Sequence, residues 1–259
     1  MRAFRFALVL LALASNALGQ NLDRLAATVA FVYKPHVGSG TAFFASADGT
    51  TLILVTAEHV SSVLKSDFRA TLLGDNDTPF DVSSEELTGT KDVVWVSHDK
   101  EDVAVTLIHP KQNVLAKLGG HFLARTMLSS ENTAPSRERP LTTLGFPLAL
   151  GVQEHFSPIT RDSFPASGLI TLPRFDTHTP ATFYLLENAS IAGFSGAPVF
   201  LIPKPFATNS GSLAFPRTGS GSSTLTRVGI VHGTISDETG GKMAAVTHQS
   251  TSSKQSTRR

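Results

Sequence analysis

Three short segments carry reactive side chains in a fixed order along this chain: Thr56-Ala57-Glu58-His59-Val60, then Asp102-Val103-Ala104-Val105, then Gly193-Phe194-Ser195-Gly196-Ala197-Pro198. A serine hydroxyl is a poor nucleophile near neutral pH. It becomes an effective one when an imidazole takes its proton and a carboxylate holds that imidazole in the useful tautomer. His59, Asp102 and Ser195 lie far apart in sequence, so a fold that uses them must bring three separate segments to one point. Their order narrows the choice, because unrelated hydrolase folds arrange the same three residue types in different orders.

Taken singly, each segment has a plainer reading. Gly193 to Gly196 fits an ordinary Gly-Ser turn between strands. His59 fits a satisfied histidine at the end of the apolar run Leu52-Ile53-Leu54-Val55, and Asp102 fits a solvated residue at a strand start. Asp102 is preferred over the nearby Asp99 and Glu101 because it directly abuts the apolar run Val103 to Leu107. The glycines beside Ser195 let the backbone turn sharply and aim the N–H groups of Gly193 and Ser195 at one point, as an oxyanion hole requires. A G-x-S-x-G nucleophile elbow is opposed by Ala197 and by the strand-like run Pro198 to Ile202, since an elbow continues into a helix.

Around these segments the chain is a series of short β-like runs separated by turn residues. Candidate strands are Thr28–Tyr33, Gly40–Ala45, Thr51–Thr56, Val93–Ser97, Val103–Ile108, Leu141–Gly145, Gly168–Leu172, Thr182–Leu186, Pro198–Ile202, Arg227–His232 and Met243–Thr247. A short helix is expected at Ala57–Lys65. Many short strands at such spacing indicate an all-β barrel or sandwich. The polar, charged stretch 129–140 reads as a linker between an N-terminal β domain, 20–128, that carries His59 and Asp102, and a C-terminal one, 141–249, that carries Ser195. Asn209–Thr226 reads as a long loop and 250–259 as a disordered tail.

Composition excludes several classes. Net charge is +1, with no basic field of the kind that binds nucleic acid. There is no cysteine and no H-x-x-x-H spacing, so no metal or cofactor is expected. Residues 1–19 read as a secretory signal peptide: Arg2 and Arg5, then an apolar run from Phe6 to Ala14, then the small residues Ala17 and Gly19. That run is shorter than the ~20 residues a membrane span needs. Secretion or a periplasmic location follows as an expectation.

The chain resembles the trypsin-like serine peptidases of the chymotrypsin fold over most of Thr28–Thr247. It looks most like the bacterial, disulfide-free types, the glutamyl endopeptidases and the Deg/HtrA protease domains. The matching pieces are the three segments above with Gly38-Ser39-Gly40-Thr41-Ala42-Phe43-Phe44, Gly145-Phe146-Pro147 and Glu187–Val199. The resemblance implies two six-stranded antiparallel β-barrels with the site in the cleft between them. It implies His59 as general base and then acid, Asp102 as orienter and Ser195 as nucleophile. It also implies a substrate pocket lined by Ala189, His232 and Gly233, with His232 placed where glutamyl endopeptidases bind a substrate carboxylate.

Two departures stand out. Phe194 occupies the position where animal trypsins carry an aspartate that pairs with a newly cut N-terminus, and Ala189 the position of trypsin's basic-specificity aspartate. The expected function is a monomeric, secreted serine endopeptidase acting on polypeptides through an acyl-enzyme. The alternative is an inactive relative of the same fold serving as a binding module.

Overall fold

The computed structural model describes residues 22–127, 133–202, 206–207, 213–214, 226–236, 238 and 241–248. The expected signal peptide 1–19, the tail 250–259, residues 129–132 of the linker and most of the loop 209–226 lie outside the described residues.

The first sheet contains β1 (Val29–Lys34), β2 (Gly38–Ser46), β3 (Leu52–Thr56), β4 (Arg69–Leu73), β5 (Pro79–Ser83), β6 (Val96–Ser97), β7 (Ala104–Leu107) and β8 (Leu123–Ala124). Their order is β5-β4-β1-β2-β3-β7-β6, with β8 joined to β2 in parallel. The second sheet contains β9 (Leu141–Gly145), β10 (Ile159–Ser163), β11 (Ile170–Pro173), β12 (Pro180–Leu186), β13 (Pro198–Leu201), β16 (Thr226–Ser236) and β17 (Lys242–His248). Its order is β10-β9-β13-β16-β17-β12-β11, all antiparallel. Between β13 and β16 a small ribbon pairs β14 (Phe206–Ala207) with β15 (Leu213–Ala214).

The all-β, two-sheet architecture agrees with the sequence reading. The strand count differs: among the described residues the sheets have eight and seven strands rather than six each, and their outermost strands do not pair to close a barrel. Two-residue additions, β6 at the edge and β8 on β2, account for part of the excess.

The period of two in each strand decides what lies on each face. In β2, Ala42 and Phe44 pack into a core with Leu54, Leu64, Phe68 and Leu72. Phe43 and Ala45 point the other way, into a second core shared with Leu144, Phe146, Phe200 and Ile230 of the second sheet. β1 repeats the division, with Ala30 and Val32 in the first core and Val29 and Phe31 in the second. The central strands of the first sheet are therefore covered on both faces, which explains why they read as continuous apolar runs. A third core, around Leu141, Tyr184, Val199 and Val246, lies within the second sheet and includes Phe194.

Among the described residues, three short α-helices lie between the strands, besides a helical stretch at 22–26 and three single 3-10 turns. Glu58–Leu64 follows β3 directly. Ser84–Thr88 begins with a capping box, Ser83 and Glu86 bonding each other's backbone N–H, and ends at the left-handed Gly89. Gln112–Leu118 ends at the left-handed Gly119. Among the described residues no helix is long and apolar enough to cross a membrane.

Because Phe43 is fully buried in the core shared by both sheets, Phe43→Ala should lower unfolding stability by about 3–5 kcal/mol, read by urea denaturation. A loss below about 1 kcal/mol would contradict a load-sharing core between the sheets.

Candidate active site

Strand register brings the histidine to the aspartate. β3 pairs antiparallel with β7, with Thr56 opposite Ala104. His59 follows the end of β3 and Asp102 precedes the start of β7, so the two meet at the same end of the ladder. The His59 backbone N–H donates to Asp102 Oδ1 at 3.0 Å, and the Nδ1–H donates to Oδ2 at 2.7 Å. That tautomer leaves His59 Nε2 as the free base nitrogen.

Asp102 is fully buried and has two further donors. His232 Nδ1 lies 2.5 Å from the same Oδ2, and Arg174 Nη2 donates to Oδ1 at 3.1 Å. Burial alone would raise the Asp102 pKa, but the hydrogen bonds from His232 and His59 outweigh it and hold the carboxyl far below its ordinary range. Arg174 is itself 3% exposed. Its guanidinium also bonds Glu58 at 2.6 Å and Asp176 at 2.9 Å. Burial disfavours its charge, yet Asp176 and Glu58 more than compensate and its pKa is raised. The aspartate is thus held ionised by donors from both sheets.

The serine segment reaches this point through backbone contacts with the first sheet. The Thr41 N–H donates to the Ser195 carbonyl at 2.9 Å. The Thr41 hydroxyl donates to the Gly193 carbonyl at 2.7 Å and accepts from the Phe146 N–H at 3.1 Å. Gly196 has φ +83°, and a Cβ there would lie 2.1 Å from the Thr41 carbonyl oxygen and 2.3 Å from Thr56 Oγ1, at the end of the strand that leads to His59. Gly193 has φ +99°, and a Cβ there would lie 2.4 Å from the Phe146 carbonyl oxygen. Only glycine fits either position.

The turn before the serine is fixed at both ends. Phe194 N–H donates to Ile191 at 3.0 Å, and the Ala192 carbonyl accepts from Leu148 N–H at 2.7 Å. Phe194 is buried in the third core, so apolar packing anchors this loop. Among the described residues, the N–H groups of Gly193 and Ser195 have no protein acceptor. The Ser195 hydroxyl donates to the His232 carbonyl at 3.2 Å.

The three residues expected to line a pocket separate. Ala189 does line a cavity, with Ser190, Phe194 and Val231. His232 does not face substrate. It is 2% exposed, its Nδ1 is on Asp102, its Nε2 accepts from Phe175 N–H at 3.4 Å, and its ring stacks on Phe183 at 4.9 Å. With both ring nitrogens engaged, the expected role of binding a substrate carboxylate is not open to it. Gly233 instead makes room for Phe175, whose ring also packs edge-on against His59 at 4.9 Å.

Sequence reasoning missed Thr41, Arg174, Phe175 and the part His232 plays. Thr41 lay inside a quoted motif, but nothing in its type signals a hub. Arg174 sits 72 residues from Asp102, and no local pattern marks it. His59, Asp102 and His232 place one ligand atom each within 4.8 Å of one another. A metal ion there would displace both hydrogen bonds on Oδ2 and face the adjacent Arg174 guanidinium, which disfavours it.

No family model matches the sequence, and no curated protein does. Solved structures do match. The Rv3671c protease from M. tuberculosis in its active form superimposes with a TM-score of 0.53 at 17% identity, over 92% of this chain and 81% of that one. An inactive serine-to-alanine mutant of the same protein gives a TM-score of 0.50 at 14% identity, over 88% of this chain and 83% of that one. The shared feature is the fold, the two-sheet chymotrypsin-like architecture.

The Asp102 carboxyl has a folded pKa depressed below its unfolded value. Its contribution to stability is therefore fully present above the unfolded value of about 3.9 and is lost as pH falls through and below it. Urea unfolding between pH 2 and 7 should show this acid loss in the wild type and a flatter profile in Asp102→Asn. Equal slopes for the two proteins would contradict it.

Proposed function

We propose that the protein is a serine endopeptidase that cleaves polypeptides through an acyl-enzyme. The observation that carries this reading is the His59 imidazole held by Nδ1 on a buried, ionised Asp102, with Ser195 in a turn whose backbone geometry only its flanking glycines permit. His59 Nε2 takes the Ser195 proton as Oγ attacks the substrate carbonyl. The same proton then goes to the leaving amine, and His59 activates the water that releases the acyl group. The unpaired N–H groups of Gly193 and Ser195 supply the oxyanion hole. Asp102 orients the ring and stabilises the imidazolium. No step requires a metal or a cofactor.

In this reading Arg174 and His232 act on Asp102 rather than on substrate. They are positioning residues that keep the carboxylate ionised and fixed. The fold and its neighbours support a polypeptide substrate, and the basic, apolar and small-residue run at 1–19 supports export. The domain division at the linker 129–140 is part of the same reading, with His59 and Asp102 from one side and Ser195 from the other.

A second reading, an inactive binding module, draws on the Ser195 hydroxyl, which is bonded to the His232 carbonyl instead of to His59. Catalytic hydrogen bonds are often long or misaligned until substrate arrives, and a χ1 rotation redirects the hydroxyl.

Labelling with a fluorophosphonate probe separates the two. The wild-type protein should label covalently at Ser195, and Ser195→Ala or His59→Ala should abolish labelling. On a cleaved peptide each substitution should lower kcat/KM by about 10⁴–10⁶-fold. A folded wild-type protein that takes no label favours the binding module.

A further inference from the structure

Among the described residues, the cavity beside the serine segment contains a cation with no counter-charge. It is lined by Thr143, Arg161, Ser163, Ala189, Ser190 and Phe194, among others, and no carboxylate lines it. Arg161 Nη1 is a buried nitrogen with no hydrogen-bond partner. The register explains why the side chain is there. β10 pairs with β9 so that Arg161 lies opposite Thr143, and Ser163, two residues on, shares that face. Asp162 points to the other face, where its Oδ1 accepts from Thr142 at 2.6 Å.

The cavity also touches the reactive segment. Phe194 precedes the serine. Val231, another lining residue, accepts from the Gly196 N–H at 2.9 Å, and the next carbonyl, that of His232, accepts from the Ser195 hydroxyl. The enclosed space is about 20 Å³ and opens to solvent, room for one water or the tip of a side chain.

An inward-pointing charge on an edge strand also guards against edge-to-edge pairing, and β10 is an edge strand. That role needs no cavity and no hydroxyl lining. It also leaves a shielded guanidinium nitrogen unpaired, which costs free energy. A carboxylate entering the cavity removes that cost and forms a charge-assisted hydrogen bond.

We propose that this cavity receives the side chain before the scissile bond and that Arg161 selects an acidic one, aspartate or glutamate. The proposal rests on the peptidase reading and assigns its substrate class. The donors are Arg161 Nη1 and the hydroxyls of Ser163, Ser190 and Thr143, not His232. Lysine or arginine at that substrate position meets like charge, and a neutral side chain leaves Nη1 unpaired.

The test profiles cleavage of a defined peptide library by the full chain, beside fluorophosphonate labelling of Ser195. Peptides with Glu or Asp before the cut should be preferred over their Gln or Asn counterparts by about 10–100-fold. Arg161→Ala should abolish that preference while labelling persists, and Arg161→Lys should retain part of it. A neutral preference that Arg161→Ala leaves unchanged, in a protein that labels normally, overturns the proposal and leaves the peptidase reading standing. If no labelling occurs, the peptidase reading fails by itself, and the pocket is then read by binding. Calorimetry on Ser195→Ala should show an acetylated tetrapeptide amide ending in Glu binding at least tenfold tighter than its Gln analogue, with the difference lost in Arg161→Ala. Equal affinities overturn the proposal.

Discussion

A carboxylate taken wholly out of water has to be surrounded by donors, and in this protein that requirement joins the two halves of the fold. Asp102 arrives from the first sheet. Its donors are His59 from the helix that follows β3, Arg174 from the residue after β11, and His232 from β16 of the second sheet. Desolvating an ion is expensive, and only well-placed donors on both oxygens repay it. Removing any one of them leaves charge uncompensated in a dry site. The position of His59, and hence of any base at Nε2, follows from how that burial is satisfied.

The serine segment is fixed by a separate device. Thr41 bonds Ser195, Gly193 and Phe146 through its backbone and hydroxyl, while its carbonyl accepts from Thr56 Oγ1 at 2.7 Å. One residue on β2 thus ties the loop to the strand that leads to His59. Behind the loop, Phe194 is packed among apolar side chains. The Gly145 position is bare for the same reason, because a Cβ there would lie 2.9 Å from the Phe194 ring. An apolar anchor needs no new N-terminus to complete it, so the loop geometry is a property of the folded chain.

The sequence showed what local chemistry can show. The apolar runs of β1, of β3 and of Ala42 to Ala45 in β2 were legible because both their faces are packed against other residues. The helix after β3 was legible because β3 ends at Thr56. β4 and β5 were missed: Arg69 opens the one and Asp81 interrupts the other, and their side chains bond diagonally across the ladder. β10 was missed because ITRDS is polar, and only its edge position and the cavity behind it explain that pattern. The helix Ser84–Thr88 carried a readable signal in Ser83 and Glu86 that was not used. The meeting of His59 with Asp102 was legible from the apolar runs beside them, which become the paired strands β3 and β7. Arg174 and the orientation of His232 were not, because each depends on a contact made between distant strands.

The central claim is that one buried carboxylate accepts hydrogen bonds from two imidazoles. Proton NMR of the folded protein, with histidine ring nitrogens labelled, observes this directly. The account predicts two strongly downfield Nδ1 protons, assigned to His59 and His232, both shifted upfield in Asp102→Asn. A single downfield proton, or two that are unmoved by that substitution, would contradict it.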